Sequence, residues 1–158
     1  MAQLPILLYP DPRLHTRAKK IERVDASIRQ LATDMAETMY AAPGVGLAAT
    51  QVDRHIQLIV IDISEDRSHL LTLINPEIIA REGECEGEEG CLSVPGIYEI
   101  VKRSAKVRVR SLDLDGKPFE LDHLVAVLLR HTGRAATAAA SLPPQDCAST
   151  QSTAPHAA

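Results

Sequence analysis

Three stretches of the 158-residue sequence combine reactive or ligand-grade side chains with backbone that lets a small molecule come close. They are GVGLAATQ at 44–51, EEGCLS at 88–93, and His131 at the end of the apolar run LVAVLLRH. Gly44 and Gly46 lack a Cβ and so permit close approach to backbone. Val45 lies between them, and Gln51 ends the segment with a carboxamide that both donates and accepts. The segment follows a helical pattern rather than a strand and has no Lys, which excludes a phosphate loop. A turn packed on the core and a ligand site remain equally compatible with it. EEGCLS reads as a polar, exposed loop in which Cys91 sits beside Glu88 and Glu89. Two carboxylates disfavour a free thiolate nucleophile, whereas a bound dication deprotonates a coordinating thiol outright. Inert, reactive and metal-ligating roles for Cys91 all stay open at this level.

These residues need elements to hold them. The opening PILLYPDPRLHTRAKKI is crossed by prolines that push the preceding residue toward extended backbone, which predicts an extended arm. Ile28, Leu31, Met35 and Met39 recur at spacings of three and four after Asp25 and Ser27. That pattern predicts an amphipathic helix with one of the two polar residues as N-cap, ending near Tyr40 before Pro43 and Gly44. IQLIVIDIS at 56–64 reads as a buried strand, and HLLTLINPEII as a second strand interrupted at Pro76. In AKVRVRSLDLDGKPFEL, Asp115-Gly116 between alternating runs predicts a hairpin, with Arg108 and Arg110 on its solvated face. DHLVAVLLRH, 122–131, reads as a buried helix with Asp122 as N-cap.

Composition narrows the class. With one Phe, three Tyr and no Trp, the core must be built from Leu, Ile and Val. A net charge of -4 gives no electrostatic reason for nucleic acid or an anionic membrane as partner. No apolar stretch approaches the ~20 residues that span a bilayer, and the start lacks a signal-peptide pattern, so the expected location is cytoplasmic. Three cysteines in such a chain argue against a disulfide framework.

Taken together, GVGLAATQ followed by EEGCLSVPG resembles the first two signature motifs of the peptide deformylases. The flanking DPRL, METMYAAPG, LINPEI and DGKPFEL are similar to the same family, so the resemblance runs from about Leu4 to His131. It implies an α+β fold in which antiparallel sheets pack around a buried motif-bearing helix. It also implies a bacterial hydrolase that removes the formyl group from the N-terminal formylmethionine of nascent polypeptides, using Fe(II) or Zn(II). N-formylmethionyl peptides are then the substrate, with the ribosome as a further partner. By the same resemblance Cys91 and His131 are metal ligands, and Gln51 and the Leu92 backbone N–H stabilise the oxyanion. Gly44, Val45, Gly46, Leu124 and Val127 contact substrate.

The third motif departs from the family. A helical H-E-x-x-H places two ligands at i and i+4 on one face, ~6 Å apart, with Glu as general base. Here His131 is followed by Thr132 where the Glu belongs, and Ala135 stands where the second His belongs. His123 is eight residues away, ~12 Å along a helix, too far to share an ion. Two protein ligands fall short of the three that catalytic zinc sites use.

Residues 132–158 contain nine Ala, seven Ser or Thr and three Pro against one large aliphatic, Leu142. Such a segment is expected to be disordered beyond a turn or two, the alternative being an Ala-rich extension of the helix past Gly133. The expected division is a deformylase-like domain over 1–131 and a low-complexity tail over 132–158. The tail's composition matches GC-rich codons read out of frame, so a frameshift at or after codon 131 is the expected origin. Absence of a Glu-x-x-His in every frame of the encoding DNA there would sink that reading. The function expected is therefore an impaired deformylase. The alternatives are a non-catalytic formyl-peptide-binding or ribosome-associated pseudoenzyme, and a hydrolase using Cys91 as direct nucleophile.

Overall fold

The computed structural model describes residues 3–122. Helix α1, Ala26–Ala41, starts where the sequence pattern placed it, at the Asp25 cap. The Asp25 carboxylate accepts from the backbone N–H of Ser27 (2.9 Å) and Ile28 (3.2 Å), satisfying two of the donors that a helix start leaves unpaired. Met35 and Met39 are fully buried, with Ile28 and Leu31 partly buried against the same core.

Seven strands follow: β1 Gly46–Ala48, β2 Leu58–Ile61, β3 Leu71–Glu82, β4 Cys85–Cys91, β5 Val94–Arg103, β6 Lys106–Leu112 and β7 Pro118–Asp122. Five of them form one sheet in the order β1-β2-β3-β6-β7, with every pairing antiparallel, and β4-β5 stands as a separate hairpin. This is an α+β architecture. The β2 run LIVI is apolar throughout because both faces of its strand are covered. Leu58 and Val60 join the cluster under α1, while Ile59 and Ile61 join Leu73, Val107 and Val109 on the other face.

The structure corrects several expectations. The strand read over 56–64 is confined to Leu58–Ile61. β3 is not interrupted at Pro76 but runs through it, the register shifting between Ile74 and Glu77. Asn75 takes the left-handed backbone there (φ 50°), which Asn adopts more readily than most residues. Its side chain bonds both the N–H and the C=O of Ile21 at 2.8 and 2.7 Å, so the bulge grips the N-terminal arm. That arm is extended only in part, since Pro12–His15 forms a 3-10 turn capped by Asp11. EEGCLS is not an exposed loop: Glu88 to Cys91 belong to β4, and Gly90 and Ser93 are buried. The Asp115-Gly116 hairpin joins β6 to β7 as expected, and Arg108 and Arg110 lie on its solvated face, paired with Asp122 and Glu120. Asp122 ends β7; the helix read after it lies outside the described residues.

Four carboxyls carry a pH signature. Asp11 is held below its ordinary value of 3.8 by the Arg13 guanidinium, Asp25 by the Ser27 hydroxyl and Asp66 by the Ser68 hydroxyl. For Asp62, burial pushes upward, but hydrogen bonds from Ser64 and Tyr40 outweigh it and the net shift is down. A carboxyl with a depressed folded-state pKa binds protons less readily than in the unfolded chain. Its stabilisation is therefore present above ~4 and is lost as pH falls through the folded value. Urea midpoints are expected to be flat from pH 7 to 5 and to fall below about pH 4; a midpoint that rises on acidification would contradict these assignments.

Candidate active site

Gln51 sits in the 3-10 turn Ala49–Val52 that follows β1, with its side chain fully buried. Its Oε1 accepts from the Ala48 backbone N–H at 3.0 Å, and its Nε2 donates to the Ser93 hydroxyl at 3.1 Å. That second bond joins the two stretches that sequence reasoning had singled out separately. The carboxamide has two N–H donors, and one of them reaches Ser93. The N-terminal arm ties the same two segments, Leu7 N–H donating to the Gln51 carbonyl (2.7 Å) and Tyr9 N–H to the Ser93 carbonyl (2.8 Å).

Cys91 ends β4 and lies opposite Val94 after a register shift at Gly90. It is partly exposed, and neither it nor Cys85 forms a disulfide. The tight β4–β5 crossing brings the Tyr98 ring against Gly90, where a Cβ would lie 2.7 Å from Tyr98 Cε1. Glu89, two residues before Cys91, is bonded to Arg103 Nη2 at 2.9 Å, with the side chains only 14% and 12% exposed. The carboxylate that sequence reasoning set against a free Cys91 thiolate is thus partnered by a cation. Among the described histidines, His55 pairs with Asp53 and His69 with Ser68, so neither is shown serving Cys91 as a base.

The 44–46 segment leads from α1 into β1. Leu92 packs over Gly44 so closely that a Cβ there would lie 2.6 Å from Leu92 Cδ1. Gly44 N–H donates to the Met39 carbonyl, and the Val45 carbonyl accepts from Asp62 N–H, both at 2.9 Å. The Tyr40 hydroxyl donates to the Asp62 carboxylate at 2.6 Å. Burial, reinforced by that bond, pushes the phenol up to about 12, so it remains a donor at neutral pH.

His131, Leu124, Val127, Thr132 and Ala135 lie outside the described residues, as do the 131/132 boundary and the tail. Among the described residues no group of three or more His, Cys, Asp or Glu side chains is placed to hold a metal ion. Cys91 suits such an ion as a single donor, being a soft sulfur ligand of the kind that zinc and iron accept.

The polypeptide deformylase family model matches residues 3–133. The chain belongs to that family. It is 57% identical over 133 residues to the peptide deformylase of Chromobacterium violaceum, covering 83% of this chain and 80% of the relative. It is 60% identical over 134 residues to peptide deformylase 1 of Burkholderia multivorans, covering 83% and 74%. The crystal structure of a peptide deformylase from Legionella pneumophila superposes with a TM-score of 0.78 at 49% identity, covering 83% of this chain and 79% of that one. A peptide deformylase from Synechococcus elongatus, solved in complex with actinonin, gives 0.77 at 41%, covering 82% and 73%. Deformylases are metal-dependent enzymes that remove the formyl group from an N-terminal Met, and the chain is an enzyme by family.

Sequence reasoning missed Ser93, Arg103, Tyr98 and the arm residues Leu7 and Tyr9. Ser93 had a signal, since a hydroxyl two residues after a candidate ligand can hold a neighbouring carboxamide. The others act through strand register or backbone donors, which a single sequence does not mark.

Proposed function

We propose that this chain carries the substrate half of a deformylase site and that its catalytic half is impaired. The supporting observation is the hydrogen bond from Gln51 to Ser93, which fixes a buried carboxamide next to the segment bearing Cys91 and Leu92. In this reading Gln51 Nε2 and the Leu92 N–H meet the charge that develops on the formyl oxygen, where one such donor is worth ~10²- to 10³-fold in rate. The ligands are Cys91 and His131, and the ion, Fe(II) or Zn(II), supplies Lewis acidity when bound. Gly44, Val45 and Gly46 line the substrate path with Leu124 and Val127. Among the described residues β1 is one of the two edge strands of its sheet, and an extended formylmethionyl peptide can pair with such an edge.

Thr132 cannot take a proton from water at neutral pH, and Ala135 cannot bind a metal. The deformylase-like domain therefore ends at 131, and the tail from 132 does not complete the site. The reading places the chain in the bacterial cytoplasm with formylated nascent peptides as ligands and the ribosome as a further partner. Among the described residues, no helix is long and apolar enough to cross a membrane.

A second reading, a non-catalytic formyl-peptide binder, draws on the same intact Gln51 and 44–46 geometry. Calorimetric titration of the full chain, supplemented with Zn(II), with formyl-Met-Ala-Ser separates them. Both readings expect saturable binding that the unformylated peptide does not reproduce. Slow release of formate supports the impaired enzyme, binding without release supports the binder, and no binding sinks both.

A further inference from the structure

Asp62 is a buried carboxylate, 4% exposed, at the end of β2 and outside the motifs that define the site. A charge in such a place is costly unless hydrogen-bonded, and both of its oxygens are. One accepts from the Tyr40 hydroxyl (2.6 Å), the other from the Ser64 N–H (2.9 Å) and hydroxyl (2.5 Å). The Asp62 backbone N–H meanwhile holds the Val45 carbonyl, while the Gly44 N–H is held by Met39 of α1. Arg67 lies over the Tyr40 ring, 5.5 Å from its centroid, covering the phenol.

The 42–45 segment is thus held to the helix through Ala42 and Gly44, whose N–H groups donate to the Thr38 and Met39 carbonyls, and to the residue after β2 through Val45. The Tyr40–Asp62 bond braces those two anchors against each other. Anchor and brace meet in one residue, because the same Asp62 that holds Val45 through its backbone is fixed to the helix end through its side chain. The segment cannot swing away from β2 without stripping a donor from a buried carboxylate or dragging the end of α1 with it.

We propose that Tyr40 and Asp62 are positioning residues that fix the 44–46 segment in the conformation that receives the peptide. The proposal rests on the reading of that segment as the peptide's binding edge. Pairing an extended ligand with β1 requires its backbone groups to be aligned before the ligand arrives, and a preorganised edge binds more tightly than one that must order first. Tyr40 and Asp62 touch no substrate in this arrangement; they act through Val45, whose carbonyl the Asp62 N–H holds.

Amide exchange and binding on the full chain test it, using Tyr40→Phe, which keeps the ring packing, and Asp62→Asn, which keeps the shape. Exchange over 44–47 is expected to rise at least about 10-fold in each variant, with β6 and β7 changing by less than about 2-fold, as local opening requires. Affinity for formyl-Met-Ala-Ser is expected to fall about 5- to 30-fold, a part of what one hydrogen bond to a charged group is worth, because the bond acts on the ligand only through the segment it braces. Unchanged exchange at 44–47, or an equal rise across the whole sheet, overturns the brace. A local rise with unaltered affinity overturns the positioning role. If the unaltered chain binds no formyl peptide, the binding-edge reading fails by itself, and positioning for that ligand fails with it. The exchange arm still decides whether the brace exists.

Discussion

Formyl-Met-Ala-Ser hydrolysis by this chain, supplied with Fe(II), Ni(II) or Zn(II), is expected to run at least ~10²-fold below that of the Chromobacterium violaceum peptide deformylase, the loss that removing a general base brings. In the proposed site the third ligand is absent, which is expected to add to this deficit, since an ion held by two protein groups is bound weakly. The double substitution Thr132→Glu with Ala135→His places a carboxylate and an imidazole at the two positions where the family motif requires them. It is expected to raise turnover at least ~10-fold over the unaltered chain, because it supplies the base and the ligand that the proposed site lacks. The two single substitutions should each do less than the pair, because base and ligand serve one reaction. Turnover by the unaltered chain equal to that of its relative would mean that another part of the chain completes the site. A folded double variant that gains metal affinity but no activity would place the defect beyond these two side chains.

Gln51→Leu is expected to lower global stability by roughly 2–5 kcal/mol, before any question of catalysis arises. The leucine matches the glutamine in size but can neither accept from Ala48 N–H nor donate to Ser93 Oγ. Each buried polar group left without its partner costs ~1–3 kcal/mol, and Ser93 and Ala48 are both almost fully enclosed. Urea denaturation followed by circular dichroism measures the loss, and Ser93→Ala in the same background should recover part of it by removing one orphaned group. If Gln51→Leu were neutral, the carboxamide would be idle in the fold and its only role would be chemical. Activity losses in Gln51 variants must therefore be read beside their stabilities.

Much of the fold was legible because the residues that decide it act locally. The Asp25 cap and the three- and four-residue spacing through Met39 sufficed for α1, and Asp115-Gly116 sufficed for the β6–β7 hairpin. Pro76 misled because an unaided reading treats a strand proline as a break. The bulge at Asn75 absorbs it, and the energy for that comes from Ile21, 54 residues away. EEGCLS misled for a related reason. Two glutamates look like solvent-facing loop residues, yet Glu89 is nearly enclosed once Arg103 reaches it across the hairpin, and nothing nearby in the sequence announces that partner.

The site was legible in kind but not in arrangement. Residue types picked out Gln51 and Cys91, and the family resemblance gave them roles. Their juxtaposition depends on Ser93 and on backbone donors of the arm, which carry no side-chain signature. His131 and its neighbours stay as the sequence reads them.

The arm has a kinetic consequence. Leu7 and Tyr9 are made early in synthesis, but their acceptors on Gln51 and Ser93 follow much later, so both contacts close long loops of chain. Contacts of that range form late and slow the folding of the whole. Gln51 is made well before Ser93, so the acceptor for Tyr9 is the later of the two to emerge. Assembly of the two motifs is then expected among the later steps of folding, because both ties join the arm to chain made well after it.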